Sequence, residues 1–265
     1  MTKQIRSLTR ALNVIETLNH ADRALSLHQL HQLTELDRAT LLRILATLMD
    51  AGWVYRSLGD GCYRLTFQLR EMGTHIRPEN SLAQLASPIL EALQKKLHWP
   101  SDLMIYNGKR MEIIETTRRQ SPLFLPQGFM GYQPYMLQSA TGRAYLAWSH
   151  PNDCKVILQR LQREEGPDAN LAHDEVWVQK ILEETRRQGY AERDRNYFGG
   201  PDDSNSYEVN VVAIPIIVMQ EVQACLNLTW IEELVQPEQL EEVFLPALRA
   251  AADAIAQRLL THELY

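Results

Sequence analysis

The sequence predicts an α+β protein of two domains, and three features carry that prediction. A helix, a tight turn, a second helix and a glycine-bearing hairpin follow one another between Ser26 and Leu65. The residue pattern then shifts near residue 80. Beyond that point strand-like runs lie beside strand-like runs with helical segments between them, the pattern of a sheet covered by helices. At 265 residues, 45% of them hydrophobic, the chain is long enough to bury two cores.

The first helix is read from Leu8, Leu12, Ile15 and Leu18, which share one face behind Ser7 as a cap. Ser26 is placed to cap a short second helix with Leu27, Leu30 and Leu33 as its buried stripe. A four-residue break leads to Asp37, the expected N-cap of a helix reaching Asp50, whose apolar face is Leu41, Ile44, Leu45 and Leu48. Arg38, Thr40, Arg43 and Thr47 then point away from that core. Trp53 to Tyr55 and Cys62 to Leu65 read as two strands joined across Gly59-Asp60-Gly61, whose glycines are expected to supply positive φ. This order, within about forty residues, is that of a winged helix-turn-helix with the hairpin as the wing.

Such a unit implies double-stranded operator DNA as a partner. Arginine can fork onto guanine and threonine can reach a base edge or a thymine methyl. The candidate contacts are Ser26, Arg38, Ala39, Thr40, Arg43 and Thr47, with Arg56 and Arg64 on the wing. Taken singly, each arginine reads better as a solvated charge; it is the succession of elements that favours DNA. The net charge of −6 divides into about +3 over residues 1–77 and −9 over the remainder, so one end suits phosphate and the other does not.

After the wing, residues 66–77 predict a short connecting helix stopped by Pro78, and Ser81 to Trp99 another amphipathic helix that Pro88 should kink or split. Asp102 to Glu115 predicts a hairpin with a type I′ turn at Asn107-Gly108. Helices are expected over 139–148, 153–164 and 173–188, the last closing at Gly189. Long strands are expected over 208–219 and 222–230, and a final helix from Pro237 to about His262.

Other classes find little support. No apolar run approaches the length needed to span a bilayer, and the residues after Met1 lack an apolar targeting segment, so a cytoplasmic protein without a membrane partner is expected. Cys62, Cys154 and Cys225 are odd in number and widely spaced, which argues against a disulfide framework. His28 and His31 stand at i, i+3, but no carboxylate follows at metal-ligand spacing. No nucleophile elbow, phosphate loop or dinucleotide fingerprint occurs. No catalytic residue, metal or cofactor is therefore expected, with hydrolase-like chemistry kept as the alternative of a different class.

Ser139-Ala140-Thr141-Gly142 opens a helix with residues too small to block its first-turn amides, a setting that attracts an anion such as a carboxylate. The same residues would equally permit close packing of helix on sheet. On the hairpin, Met104 and Tyr106 alternate with Leu103 and Ile105, which sets one pair toward such a pocket, although core packing is the more common fate of a methionine such as Met104.

Together these segments resemble the IclR family of bacterial transcription regulators. The resemblance runs through the N-terminal motif, the connector, Gln133-Pro134 to Ala147, Gly189-Tyr190-Ala191, Val209 to Pro215 and Ala224 to Thr229. Trp99-Pro100-Ser101-Asp102, Glu115-Thr116-Thr117 and Cys225 to Leu228 are most similar to the subgroup that activates phenylpropionate and related aromatic-acid catabolism genes. The resemblance implies a winged helix-turn-helix over residues 1–65, a linker helix over 66–79 and a GAF-like α/β effector-binding and oligomerisation domain over 80–265. It implies a homodimer or dimer of dimers, a small carboxylic acid as effector, and RNA polymerase as a further partner to consider. Carried over by position, the effector contacts are Ser139 to Gly142, Arg193, Asp194, Val211, Asn227 and Thr229, with Met104 and Tyr106 from the hairpin. The alternative within the DNA-binding class is a second domain that only dimerises.

Overall fold

The computed structural model describes residues 4–74, 76–121, 130–197 and 209–265, so His75 and Glu208, each inside a predicted element, lie outside the described residues. The chain divides into two compact units, Met1–Arg77 and Pro78–Tyr265.

The first unit holds α1 (Arg6–Asn19), α2 (Leu27–Thr34), α3 (Arg38–Asp50), β1 (Val54–Arg56), β2 (Tyr63–Leu65) and α4 (Phe67–Gly73). Its core joins Val14 and Leu18 of α1, Leu30 of α2 and the predicted face of α3 to Val54 and Tyr63 of the hairpin. Ser26 caps α2 through a reciprocal capping box with Gln29, and Asp37 caps α3 by accepting the Thr40 amide at 2.9 Å. Three local expectations need correction. Ser7 lies inside α1, whose N-cap is Ile5 with no side-chain bond, and Leu8 and Leu12 are exposed while Val14 takes the buried position. Leu33 is exposed and Thr34 replaces it in the core, because its hydroxyl is satisfied by the Leu30 carbonyl at 2.6 Å. Of the two wing glycines only Gly61 adopts positive φ, at 68°.

The second unit is built on an antiparallel sheet in the order β4-β3-β7-β6-β5, comprising β3 (Asp102–Tyr106), β4 (Met111–Thr116), β5 (Ala191–Glu192), β6 (Val209–Val218) and β7 (Glu221–Ile231). Period-two alternation gives the sheet two apolar faces. Leu103, Val212, Ile214, Leu226 and Leu228 pack against α5 (Pro78–Leu97) and the C-terminal α11 (Leu245–Thr261), which the short α10 (Pro237–Gln239) precedes. Met104, Ala213 and Cys225 turn to the opposite layer of α6 (Ala140–Trp148), α7 (Pro151–Leu161), α8 (Pro167–Ala172) and α9 (Glu175–Gln188). Both faces being covered explains why β6 and β7 read as nearly continuous apolar runs.

Four further expectations differ here. Pro88 does not split α5, which stays one helix with Pro88 on its exposed side. The β3–β4 turn is a four-residue loop, since Tyr106 pairs with Met111, and the Asn107 carboxamide accepts the amides of Lys109 and Arg110 at 3.0 and 2.9 Å. An Asx turn thus replaces the two-residue type I′ turn. Helix α8 was not foreseen. The last helix is interrupted by a π turn over Leu240–Phe244 just before Pro246, which has no amide hydrogen to continue the α-helical ladder.

Candidate DNA interface and effector site

In the first unit α3 turns Leu41, Ile44, Leu45 and Leu48 inward, which leaves Arg38, Ala39, Arg43 and Thr47 exposed and Thr40 half-buried along its outer side. Arg38 and Arg43 carry no ion pair among the described residues, so their guanidinium groups are available to a ligand. Of the remaining predicted contacts, Ser26, Arg64 and the Arg56 Nε are hydrogen-bonded within the fold, although Arg56, like Arg38 and Arg43, has no ion pair among the described residues. Ser26 spends its hydroxyl on Gln29. Arg64 forks onto Asp60 at 2.6 and 3.0 Å, a pairing that holds the Asp60 carboxyl well below the usual carboxylate range. Arg56 Nε donates to the Gly61 carbonyl at 2.9 Å. His31, considered as half of a metal pair, instead places Nδ1 2.6 Å from the Leu36 carbonyl and braces the turn before α3.

In the second unit the α6 entrance, the segment after β5, and strands β6 and β7 meet. The Asp194 amide donates to the Gln138 carbonyl at 2.8 Å and the Arg193 amide to that of Val211 at 3.3 Å. Val211 pairs with Thr229, and Asn227 shares the same sheet face. Ser139, Ala140, Thr141, Arg193, Asp194, Val211, Asn227 and Thr229 are thereby gathered in one region. Ser139 caps α6 by accepting the Gly142 amide at 3.0 Å, while the amides of Ala140 and Thr141, in a buried first turn, have no protein acceptor among the described residues. Gly142 answers to packing: a Cβ there would lie 2.2 Å from the Met136 carbonyl oxygen. Met104 is buried against Ile113 and Cys225. Tyr106 falls roughly 13 Å beyond Asp102 along β3, stacked on Tyr145 with ring centroids 4.8 Å apart, and is not brought to this region.

Several residues the sequence left unassigned organise it. Asp102 is buried and receives Arg118 at 2.8 Å, Thr116 at 2.7 Å and the Asn227 carboxamide at 2.9 Å, while its own amide donates to Asn227 Oδ1 at 2.7 Å. Burial opposes its charge, but the Arg118 guanidinium and the hydrogen bonds prevail and hold the carboxyl below its ordinary range. Arg118 also donates to Thr229 Oγ1 at 3.3 Å. Arg143, buried on α6, donates to the carbonyls of Leu137 and Glu192 at 2.6 and 3.0 Å and to the Asp194 carboxylate at 3.1 Å. Asp168 accepts the amides of Met136 and Leu137 at 2.6 and 3.0 Å, and burial pushes its carboxyl upward. Tyr132 and Tyr197 place their hydroxyls 3.1 Å apart beside these groups. Asp102 and Arg143 both lie in segments that carry the family resemblance, and that was their one signal in the sequence.

Two ion pairs lie in this region, Arg118 with Asp102 and Arg143 with Asp194, so a negatively charged ligand would meet those two guanidinium groups already engaged.

An α3 with Arg38, Arg43 and Thr47 exposed in one unit and a helix-flanked sheet with buried polar groups in the other suit a regulator that couples DNA to a small ligand. Residues 7–57 match the model of the IclR helix-turn-helix domain, and residues 77–257 match that of the bacterial transcriptional regulator IclR C-terminal domain. The chain belongs to the IclR family. It is 25% identical to the HTH-type transcriptional regulator XynR of Escherichia coli K12, over 96% of this chain and 97% of the relative. It is 26% identical to the Pca regulon regulatory protein of Pseudomonas putida, over 96% and 84%. An IclR homologue from Microbacterium hydrocarbonoxydans, solved with 4-hydroxybenzoate, shares the fold at a TM-score of 0.54 and 19% identity, over 96% and 99%. The protein is a ligand-responsive DNA-binding transcriptional regulator of the IclR type.

Proposed function

We propose that the protein senses a small carboxylic acid, of the aromatic class, and controls the genes for its breakdown. In this reading residues 1–65 bind operator DNA, 66–79 form the linker, and 80–265 form a GAF-like domain that binds the acid and assembles the chain into a homodimer or dimer of dimers in the cytoplasm. The observation that carries it is the pair of buried α6 amides, of Ala140 and Thr141, that have no acceptor among the described residues. A carboxylate supplies the acceptor such amides need. Val211, Asn227 and Thr229 then face the rest of the ligand, with Met104 as an apolar wall.

The aromatic class draws support from the phenols of Tyr132 and Tyr197 and agrees with the 4-hydroxybenzoate held by one relative of the same fold. Placement in the phenylpropionate subgroup rests on Trp99 to Asp102, Glu115 to Thr117 and Cys225 to Leu228. The acid acts by preferring one of two arrangements of the DNA-binding units, since only differential affinity can shift their balance. Contact with RNA polymerase completes the scheme for an activator.

Thermal melting of the full chain with a panel of aromatic and aliphatic acids tests the reading. A ligand that prefers the folded state raises the melting temperature by mass action, and about 2.7 kcal/mol is gained at a hundredfold excess over Kd. A shift with aromatic acids is expected. No shift with any acid would leave a second unit that only dimerises.

A further inference from the structure

Helix α5 carries one fully buried polar side chain. Leu82, Ala86, Leu90, Leu93 and Leu97 form an apolar stripe against the sheet, and Gln94, 5% exposed, sits within it. A leucine there would complete the stripe, whereas a buried carboxamide opposes folding unless it is bonded. Gln94 is bonded at both ends. Its Oε1 accepts the Thr117 hydroxyl at 3.0 Å, and its Nε2 donates to the His98 carbonyl at 3.2 Å. His98 holds a left-handed φ of 62° where the chain leaves α5 for β3, a conformation uncommon outside glycine.

A β-bulge aims Thr117 at this helix. Ile113 pairs with Met104 and Glu115 with Leu103, which leaves Ile114 as an extra residue in β4. Ile113 packs in the α6 layer, so strict alternation would turn Glu115 and Thr117 to that layer too. The bulge reverses them: the Ser87 hydroxyl of α5 donates to the Glu115 carboxylate at 2.8 Å, and Thr117 meets Gln94. Thr116 and Arg118 turn the other way and bond Asp102, the carboxylate that also receives Asn227 of β7. Successive residues at the end of β4 thus fasten α5 on one side and the candidate effector face on the other. The Ser101 amide, which donates to Thr117 Oγ1 at 2.9 Å, and the Pro100 carbonyl, which accepts the Thr229 amide at 3.0 Å, close the link through the α5–β3 connection.

We propose that Gln94 and Thr117 are positioning residues, and that the bond between them passes the presence of a bound acid to α5. The inference rests on the acid-sensing reading of the second unit and names the residues that relay it. An acid seated against Asn227 and Thr229 bears on the bonds of Asp102 and Arg118, and a displacement of residues 116–118 is carried to Gln94 because Thr117 is its partner. Helix α5 starts at Pro78, at the boundary between the two units, so its displacement reaches the chain segment that leads to the DNA-binding unit. Coupling of this kind requires a physically connected element that both sites bias.

The test uses the full-length protein, a duplex that the wild type selects from a randomised library, and whichever of benzoate, 4-hydroxybenzoate and 3-phenylpropionate most raises the wild-type melting temperature. In the wild type that acid should change operator affinity about fivefold or more. Gln94→Met keeps the length of the side chain and loses its polar atoms. In this variant the factor should fall to about two or less, while operator affinity without acid and acid affinity without operator each stay within about twofold of wild type. The Thr117 hydroxyl then has the Ser101 carbonyl, 3.3 Å away, as its acceptor, so the fold tolerates the change. Thr117→Val removes the same bond from the other side and should reduce the factor equally, with no further loss in the double variant. Thr117→Ser keeps the hydroxyl and should keep the factor. A wild-type factor in Gln94→Met or Thr117→Val overturns the proposal. So does a reduced factor with an equal loss of acid affinity, which makes the pair part of the pocket's own support, and so does a reduced factor in Thr117→Ser. If no acid changes operator affinity in the wild type, the sensing reading itself falls, and this proposal with it.

Discussion

Gly142 separates two accounts of the α6 entrance. If its smallness serves ligand access, Gly142→Ala leaves the fold intact and blocks the acid. If it serves packing, the fold itself suffers. An added Cβ would sit 2.2, 2.5 and 2.7 Å from the carbonyl oxygen, Cα and carbonyl carbon of Met136. Those are backbone atoms, held in turn by the Asp168 carboxylate on the Met136 and Leu137 amides and by Arg143 on the Leu137 carbonyl. No rotamer change relieves the clash, so the penalty belongs at the upper end of the usual 1–3 kcal/mol for overpacking, about 3 kcal/mol. For a unit of this size each kcal/mol lowers the melting temperature by about 2–4 °C, so a fall of roughly 6–12 °C is expected in the transition of the second unit. Scanning calorimetry of the full chain measures it, with operator binding at low temperature as the control on the first unit. An unchanged melting temperature in Gly142→Ala would refute the packing argument.

Three other outcomes follow from the same geometry. Arg43→Ala should weaken binding to a selected duplex by about 1–3 kcal/mol if the guanidinium reads a base, and by a loss uniform across sequences, with a shallower salt slope, if it meets phosphate; gel-shift titrations at several salt concentrations distinguish these, and unchanged binding removes Arg43 from the interface. Arg118→Met should destabilise the second unit by about 3–5 kcal/mol, since it strands the buried Asp102 charge, and denaturant unfolding reads this directly. The pH dependence of melting should then change sign. In the wild type the depressed Asp102 pKa contributes stability above the ordinary carboxylate value that is lost as pH falls through the folded value, whereas in Arg118→Met acidification neutralises Asp102 and restores stability. Identical acid limbs for the two proteins would contradict that role for the pair.

Where local chemistry determines structure, the chain was legible. Ser26 and Asp37 cap the helices they precede, the α3 face is the one its spacing predicts, and Gly189 ends α9 in the left-handed conformation. Errors arose where a polar side chain's hydrogen bond to nearby backbone overrode the pattern. Thr34 could displace Leu33 from the core because a backbone carbonyl satisfies its hydroxyl, and Asn107 could refold the expected turn because its side chain competes for two amides. Among the candidate site residues, the helix start at Ser139 follows from its small residues, whereas Val211, Asn227 and Thr229 came from the family resemblance alone. Arg118 and Asp168 had no signal and Asp102 only that of the resemblance, since the partners of their side chains lie 14 to 125 residues away and no spacing rule links them.

The central claim is that an acid held in the second unit changes how the first unit binds DNA. Operator affinity measured with and without the acid that gives the largest thermal shift, together with acid affinity measured with and without operator, tests it most directly. The two ratios should be equal and differ from one by about fivefold or more, as coupling between distinct sites requires. An acid that binds and raises the melting temperature while leaving operator affinity untouched would contradict the claim.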